Sequence, residues 1–159
     1  MVTLSQEIPA DWWEVEALYD LCFAPGREAL SSYRLRDGVD PVVDLCLVAR
    51  DDLGVLAAAV RFWPVRVGRD AALLLGPIAV HPTRQGEGLG AVLMADSLSR
   101  ATENWDRVIL VGDAPYYGRF GFKVLNGVEM PPPTNPARVL GFAMASGAWD
   151  GVAGTVARW

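Results

Sequence analysis

Gln85-Gly86-Glu87-Gly88-Leu89-Gly90 is the stretch of this chain best equipped for chemistry. Three glycines at alternate positions leave backbone amides uncovered by side chains, and an amphipathic helical pattern opens at Gly88. A helix N-terminus concentrates roughly half a positive charge, so the amides from Gln85 to Ala91 form a phosphate-binding place, with Arg84 beside them. The apolar run Leu73 to Val80 comes first, which makes the order strand, loop, helix. Gly86-Glu87-Gly88-Leu89-Gly90-Ala91 also fits the dinucleotide pattern G-x-G-x-x-A, and Asp113 ends the next apolar run as that fold requires. Two features weigh against a dinucleotide fold. His81 to Gln85 make the connection too long for its tight turn, and only 46 residues, many of them Pro and Gly, follow Asp113.

Other reactive side chains are few. His81 is the only histidine, stands at a strand end before Pro82, and has no Cys or His at metal-ligand spacing; it reads as a polar turn residue, and no metal site is expected. Cys22 and Cys46 fall in apolar patterns and read as buried thiols. Tyr116-Tyr117-Gly118-Arg119-Phe120-Gly121-Phe122 would, on residue types alone, be core aromatics beside a turn. Arg34 and Arg36 alternate with Asp37 and Asp40 as a solvated face. Trp12 and Trp13 read as one core residue and one partly exposed packing residue.

Elements that position these groups follow from periodicity. Asp11-Trp12-Trp13-Glu14 has the spacing of a capping box, and Val15, Leu18, Tyr19 and Cys22 continue at helical spacing, so a first helix begins near Asp11. Ala24-Pro25-Gly26 breaks it, and a weaker helical segment runs from Arg27 to Arg36. Asp44 to Arg50, Val55 to Val67 and Ala71 to Val80 read as an antiparallel meander. A long helix from Gly88 towards Trp105 turns Ala91, Met94, Ala95, Leu98 and Ala101 to the sheet. Arg107 to Val111 follows a crossover helix and is expected parallel to the preceding strand, the only parallel pair inferred. A short helix at Tyr116 to Phe120 and strands at Lys123 to Val128 and Val139 to Ala145 complete the chain. The reading is one α/β (α+β) domain over residues 1–159, with a mixed, mostly antiparallel sheet.

At 159 residues the chain can bury roughly 70% of its unfolded surface without staples. A net charge of −5 disfavours nucleic acid as a partner and slightly favours a cationic or neutral one. No apolar stretch is long enough to span a membrane and no export signal is seen, so a cytoplasmic location is expected. A homodimer is left open.

Gln85-x-x-Gly88-x-Gly90, following a strand and opening a helix, resembles the coenzyme A pyrophosphate loop of the GNAT superfamily of N-acetyltransferases. Tyr116 to Phe122 resembles that family's aromatic-Tyr-x-x-x-Gly-Phe segment, and the order of elements matches over nearly the whole chain. The resemblance implies an enzyme that transfers an acetyl group from acetyl-CoA to a primary amine. It implies that Ile78, Ala79 and Val80 pair with the pantetheine arm, that the Ile78 amide donates to the thioester oxygen, and that Gln85, Gly86, Glu87, Gly88, Leu89, Gly90 and Ala91 hold the phosphates. Tyr117 matches the general acid that protonates the leaving thiolate. Many relatives carry a basic glutamate on the strand before the loop; Leu73 to Ile78 has none. Asp113 is the candidate in its place, against an ordinary role as the cap of the short helix. Glu28 is a candidate partner for the amine, against a first-turn surface carboxylate, with Ala24 to Arg36 as the acceptor wall. The alternative from another class is a non-catalytic acyl-CoA-binding module.

Overall fold

The computed structural model describes residues 1–24 and 26–159. Its centre is two long strands, β3 (Leu56–Val67) and β4 (Asp70–Val80), paired antiparallel. Both carry near-continuous apolar runs because they are covered on both faces. On one side β3 pairs with β2 (Leu47–Arg50), and β2 with β1 (Thr3–Gln6). On the other, β4 pairs in parallel with β5 (Arg107–Val111), which pairs with β8 (Val139–Ala143), and β8 with β6 (Lys123–Val124). The expected meander and β4–β5 parallel pair are present.

Helix α1 (Trp12–Cys22) buries Val15, Leu18 and Tyr19 against Val48, Leu56, Ala59 and Ala79. Helix α3 (Leu89–Ala101) covers the opposite face, where Leu93, Met94 and Leu98 pack with Ala58, Val60 and Phe62. Its buried stripe centres on Leu93 and Ser97; Ala95, expected in the stripe, is exposed. Two short helices, α2 (Ser31–Arg34) and α4 (Ala114–Gly118), lie near the fork described below.

Several expectations are corrected. The segment from Asp44 opens as a 3-10 turn, Val43–Leu45, before β2. Lys123 to Val128 divides into β6 and β7 (Val128–Glu129) around a turn whose Gly127 has φ +78°. The last strand, β9 (Gly154–Arg158), and β1 escape a reading by periodicity because both are short and largely exposed. β9 runs antiparallel to β3 and parallel to β7, so a second parallel pair exists. Asp11 does not cap α1: its carboxylate accepts from the Ile8 amide at 2.9 Å and from Arg50 at 2.7 Å, and Glu14 also turns to Arg50. Pro25 lies outside the described residues; after it Gly26, at φ +86°, leads a 3-10 turn over Arg27–Ala29.

One charge is buried inside this sheet. Arg61, 2% exposed, sits where the β3–β4 register shifts between Val60 and Phe62. It donates to both oxygens of Glu7, at 3.0 and 2.9 Å, and to Glu16, and it stacks 3.7 Å from the Trp12 ring centre. A buried guanidinium persists only with such full pairing. Trp12 and Trp13 are 44% and 70% exposed, so neither is a core residue.

Candidate active site

β4 and β5 pair only at Leu73↔Val108 and Leu74↔Ile109, then diverge. From Leu75 onward the far edge of β4 has no strand beside it. His81 N donates to Ala57 O at 2.7 Å, and in an antiparallel ladder hydrogen-bonded and non-hydrogen-bonded pairs alternate. Ala79↔Ala59 is therefore a hydrogen-bonded pair, whereas Ile78↔Val60 and Val80↔Ala58 are not. The Ile78 and Val80 amides point into the gap. The Ala79 amide is spent on β3, which removes it from the three donors expected here, although Ala79 still lines the groove. The Pro77 carbonyl is taken by the Tyr19 hydroxyl at 2.9 Å.

Beyond β4 comes a 3-10 turn, Pro82–Arg84, capped by His81, whose Nδ1 accepts from the Thr83 amide at 3.2 Å. That is the turn role expected of His81. Gly86 and Gly88 follow with φ of +87° and +80°, a region costly for side-chain-bearing residues, and a Cβ on either would meet nothing within 4 Å. The loop amides therefore stand open. The first bond into α3 runs from Val92 N to Gly88 O, and no side chain caps the helix, so its leading amides have no partner within it. Arg84, expected beside the phosphates, is held by Glu87 through Nε at 2.8 Å and by Asp51 at 3.4 Å. Loop, helix tip and the end of β4 line one groove of about 560 Å³, with Tyr116, Tyr117 and Arg119 opposite. All of the expected cofactor-binding residues except Glu87 line it.

Tyr117 is placed by α4. The Asp113 carboxylate accepts from the Tyr116 amide at 3.0 Å, which makes it the N-cap of that helix. The Tyr117 ring lies against the bare Gly112 backbone, where an added Cβ would come within 2.4 Å of Cε2. Burial pushes the Tyr117 phenol up to about 12, so it remains protonated at neutral pH.

A second cavity, of about 120 Å³, opens on the other side of the fork. Its walls are Leu75 to Ile78, Leu110, Val111 and Tyr117 from the sheet side, and Phe23, Leu30, Tyr33, Arg27 and Arg36 from the segment after α1. Ile78 and Tyr117 line both cavities, so the groove and this cavity meet at them. Glu28 is exposed and lines a neighbouring depression with Asp20 and Gly26, which shares Phe23 and Arg27 with this cavity.

Three residues here escape a reading by pattern. Arg36 is half-buried and stacks 3.7 Å from the Tyr33 ring centre, not on a solvated face. Arg27 is buried, donating to Asp20, Glu16 and the Tyr33 hydroxyl. Arg119 lies 5.0 Å from the Tyr116 ring centre on the groove wall, and its place inside the aromatic segment is a signal that could have found it.

A family model described as an acetyltransferase (GNAT) domain matches residues 43–124. No curated protein is significantly similar in sequence. Among solved structures, a GNAT family N-acetyltransferase (YhbS) from Escherichia coli in complex with CoA is 30% identical, covering 99% of this chain and 89% of its own, at a TM-score of 0.83. A GNAT family acetyltransferase from Brucella melitensis in complex with acetyl-CoA is 27% identical, covers 100% and 96%, and gives 0.75. The ribosomal-protein-S18-alanine N-acetyltransferase from Escherichia coli, at 18% identity, 91% and 95% coverage and 0.65, shares the fold. A diverging β4–β5 pair, an open glycine loop at a helix tip and a match over more than half the chain leave no room for the dinucleotide fold: this chain belongs to the GNAT acetyltransferase family.

Proposed function

We propose that the protein transfers the acetyl group of acetyl-CoA to an amine by direct attack on the thioester. The observation that carries this is the meeting of two cavities at Ile78 and Tyr117. One has the features of a site for a long phosphorylated ligand: outward amides at Ile78 and Val80, then open loop amides at a helix N-terminus. The other is small, mostly apolar and reached from the opposite side.

Acetyl-CoA supplies an activated acyl carbon. The Ile78 amide, aimed into the gap, donates to the carbonyl oxygen as negative charge grows there, a contact worth about 3 kcal/mol in other acyl transfers. The bond from amine nitrogen to acyl carbon forms, the carbon–sulfur bond breaks, and Tyr117 gives its proton to the departing thiolate. A phenol held near 12 carries its proton at neutral pH, and solvent returns a proton to the Tyr117 phenolate after each transfer. The amine must also shed a proton, and no Asp, Glu or His among the described residues lines the acceptor cavity. Asp113 is committed to the cap of α4, so water takes that proton.

The missing base favours one other reading, a module that binds acyl-CoA without transferring the acyl group. Thiol release from acetyl-CoA over a panel of amines separates the two. Turnover that falls in Tyr117→Phe supports transfer; tight acetyl-CoA binding with no thiol release from any amine supports the module.

A further inference from the structure

Two guanidinium groups line the acceptor cavity, and their circumstances differ. Arg27 has four of its five N–H donors engaged: Asp20 takes Nε and one terminal N–H at 3.0 and 2.9 Å, Glu16 another at 3.2 Å, and the Tyr33 hydroxyl a fourth at 2.8 Å. Glu7 and Glu16 are drawn to Arg61. Arg36 has no such partner. Among the described residues no carboxylate pairs with it, and its Nε is buried without a hydrogen bond. Trp63 Nε1 is the only other buried side-chain nitrogen or oxygen in that state among the described residues, and the Trp63 ring centre lies 5.3 Å from Arg36 Cζ. Tyr33 stacks on the guanidinium at 3.7 Å and holds its plane. Arg36 lines the cavity, the terminal nitrogens of its guanidinium are not among the sealed atoms, and no Asp or Glu stands among the described lining residues. Leaving a charged donor unpaired is costly, so evolution of such a site implies an anion that completes it.

We propose that the acceptor is an amine that also carries a carboxylate, an amino-acid-like molecule, and that Arg36 receives the carboxylate while the amine faces Ile78 and Tyr117. The proposal rests on the acetyl-transfer reading. A planar fork fixed by stacking matches the two oxygens of a carboxylate, and the small cavity suits that group. An amino-acid-like acceptor is neutral overall, which agrees with the cationic or neutral partner that the net charge favours.

The test compares each free amino acid with its carboxamide as acceptor in the thiol-release assay. At least one amino acid should have a kcat/KM at least about tenfold above that of its own carboxamide. Arg36→Gln should erase the difference by lowering kcat/KM for the amino acid to that of its carboxamide, and Arg36→Lys should restore only part of it. In parallel, the Arg36 Nε–H resonance of the wild-type protein with CoA bound should shift on titration with N-acetyl amino acids and not with their carboxamides. Carboxamides that serve as well as the acids, or an Arg36 signal indifferent to carboxylates, overturn the proposal and leave acetyl transfer standing. If carboxylates shift the Arg36 signal but no amine releases thiol, the ligand class survives and acetyl transfer falls.

Discussion

Gly112→Ala should damage Tyr117 without touching it chemically. The Cβ added at Gly112 would lie 2.4 Å from Tyr117 Cε2, 2.9 Å from Cδ2 and 3.0 Å from Leu110 Cδ1. Ordinary carbon contacts start near ~3.5 Å, so the ring must retreat by roughly 1 Å. It cannot simply rotate away, because Tyr116 meets it edge-on at 4.9 Å and Phe122 at 6.0 Å between ring centres. Overpacking of this kind costs about 1–3 kcal/mol, and a chain of this size loses roughly 2–4 °C of Tm per kcal/mol. Misplacing a catalytic group by about 1 Å can cost on the order of a hundredfold in rate. Gly112→Ala should therefore lower Tm by several degrees and turnover by roughly a hundredfold, with acetyl-CoA affinity nearly unchanged. The decisive comparison is the double variant. On a Tyr117→Phe background the ring is still in the way, so the added alanine should cost the same Tm but little further turnover. Melting curves, calorimetric titration with acetyl-CoA and thiol release measure the three quantities. A folded Gly112→Ala protein at parental turnover, or a double variant whose turnover losses multiply, would refute the placement of Tyr117 as proton donor.

Tyr117→Phe alone should lower turnover at least about tenfold and Tyr116→Phe much less, read by steady-state kinetics. Because the phenol is held near 12 and acts in its protonated form, turnover of the wild type should show no loss from its ionisation up to about pH 10. Gly88→Glu should abolish acetyl-CoA binding in calorimetry and lower Tm through the strain of a side chain at φ +80°, since its Cβ meets nothing but places a carboxylate at the open amides; Gly90→Glu, close to the Tyr116 hydroxyl, should abolish binding as well. Burial alone would push the Asp11 carboxyl up, but the Ile8 amide and Arg50 outweigh it and hold it below its usual 3.8. Its stabilisation is therefore complete above about pH 4 and lost as pH falls through the lowered value. Asp11→Asn should cost about 1–2 kcal/mol in urea unfolding at pH 7 and progressively less in acid; an equal cost at pH 7 and pH 2 would contradict that assignment.

Legibility in the sequence followed the length and regularity of the signal. β3, β4 and α3 are long and periodic, and the glycine loop between β4 and α3 is punctuated by residues that no packing need explains, so core and phosphate loop could both be read. β1 and β9 are short and mostly exposed, and they are strands because the edges of β2 and β3 pair with them. Arg36 and Arg61 show a second limit. A charged residue in an alternating or apolar run reads as surface or as a misfit, and only the fold reveals that Glu7 and Glu16, far away in sequence, meet one of them while no carboxylate among the described residues meets the other. The backbone of Ala79 shows a third: which amides of a strand face a partner depends on register, which a single hydrogen bond at His81 settles and composition does not.

The final strand has a mechanical meaning for the fork. β4 and β5 are riveted at only two pairs of residues, and β9 returns from the far side to pair with Val65, Arg66 and Val67 of β3 while also holding β7. Those β3 residues lie opposite Asp70 to Ala72, at the closed end of the fork. The last residues of the chain thus act as a clasp behind a hinge, joining the segment that carries β7 to the half that carries β3. A consequence to be expected is that the width of the mouth, many residues away at Ile78 and Tyr117, depends on this pairing. Loosening the clasp, for example with proline at Val156, should speed amide exchange at Ile78 and Val80 although no contact there changes. Unchanged exchange at those two amides would show the fork to be rigid without it.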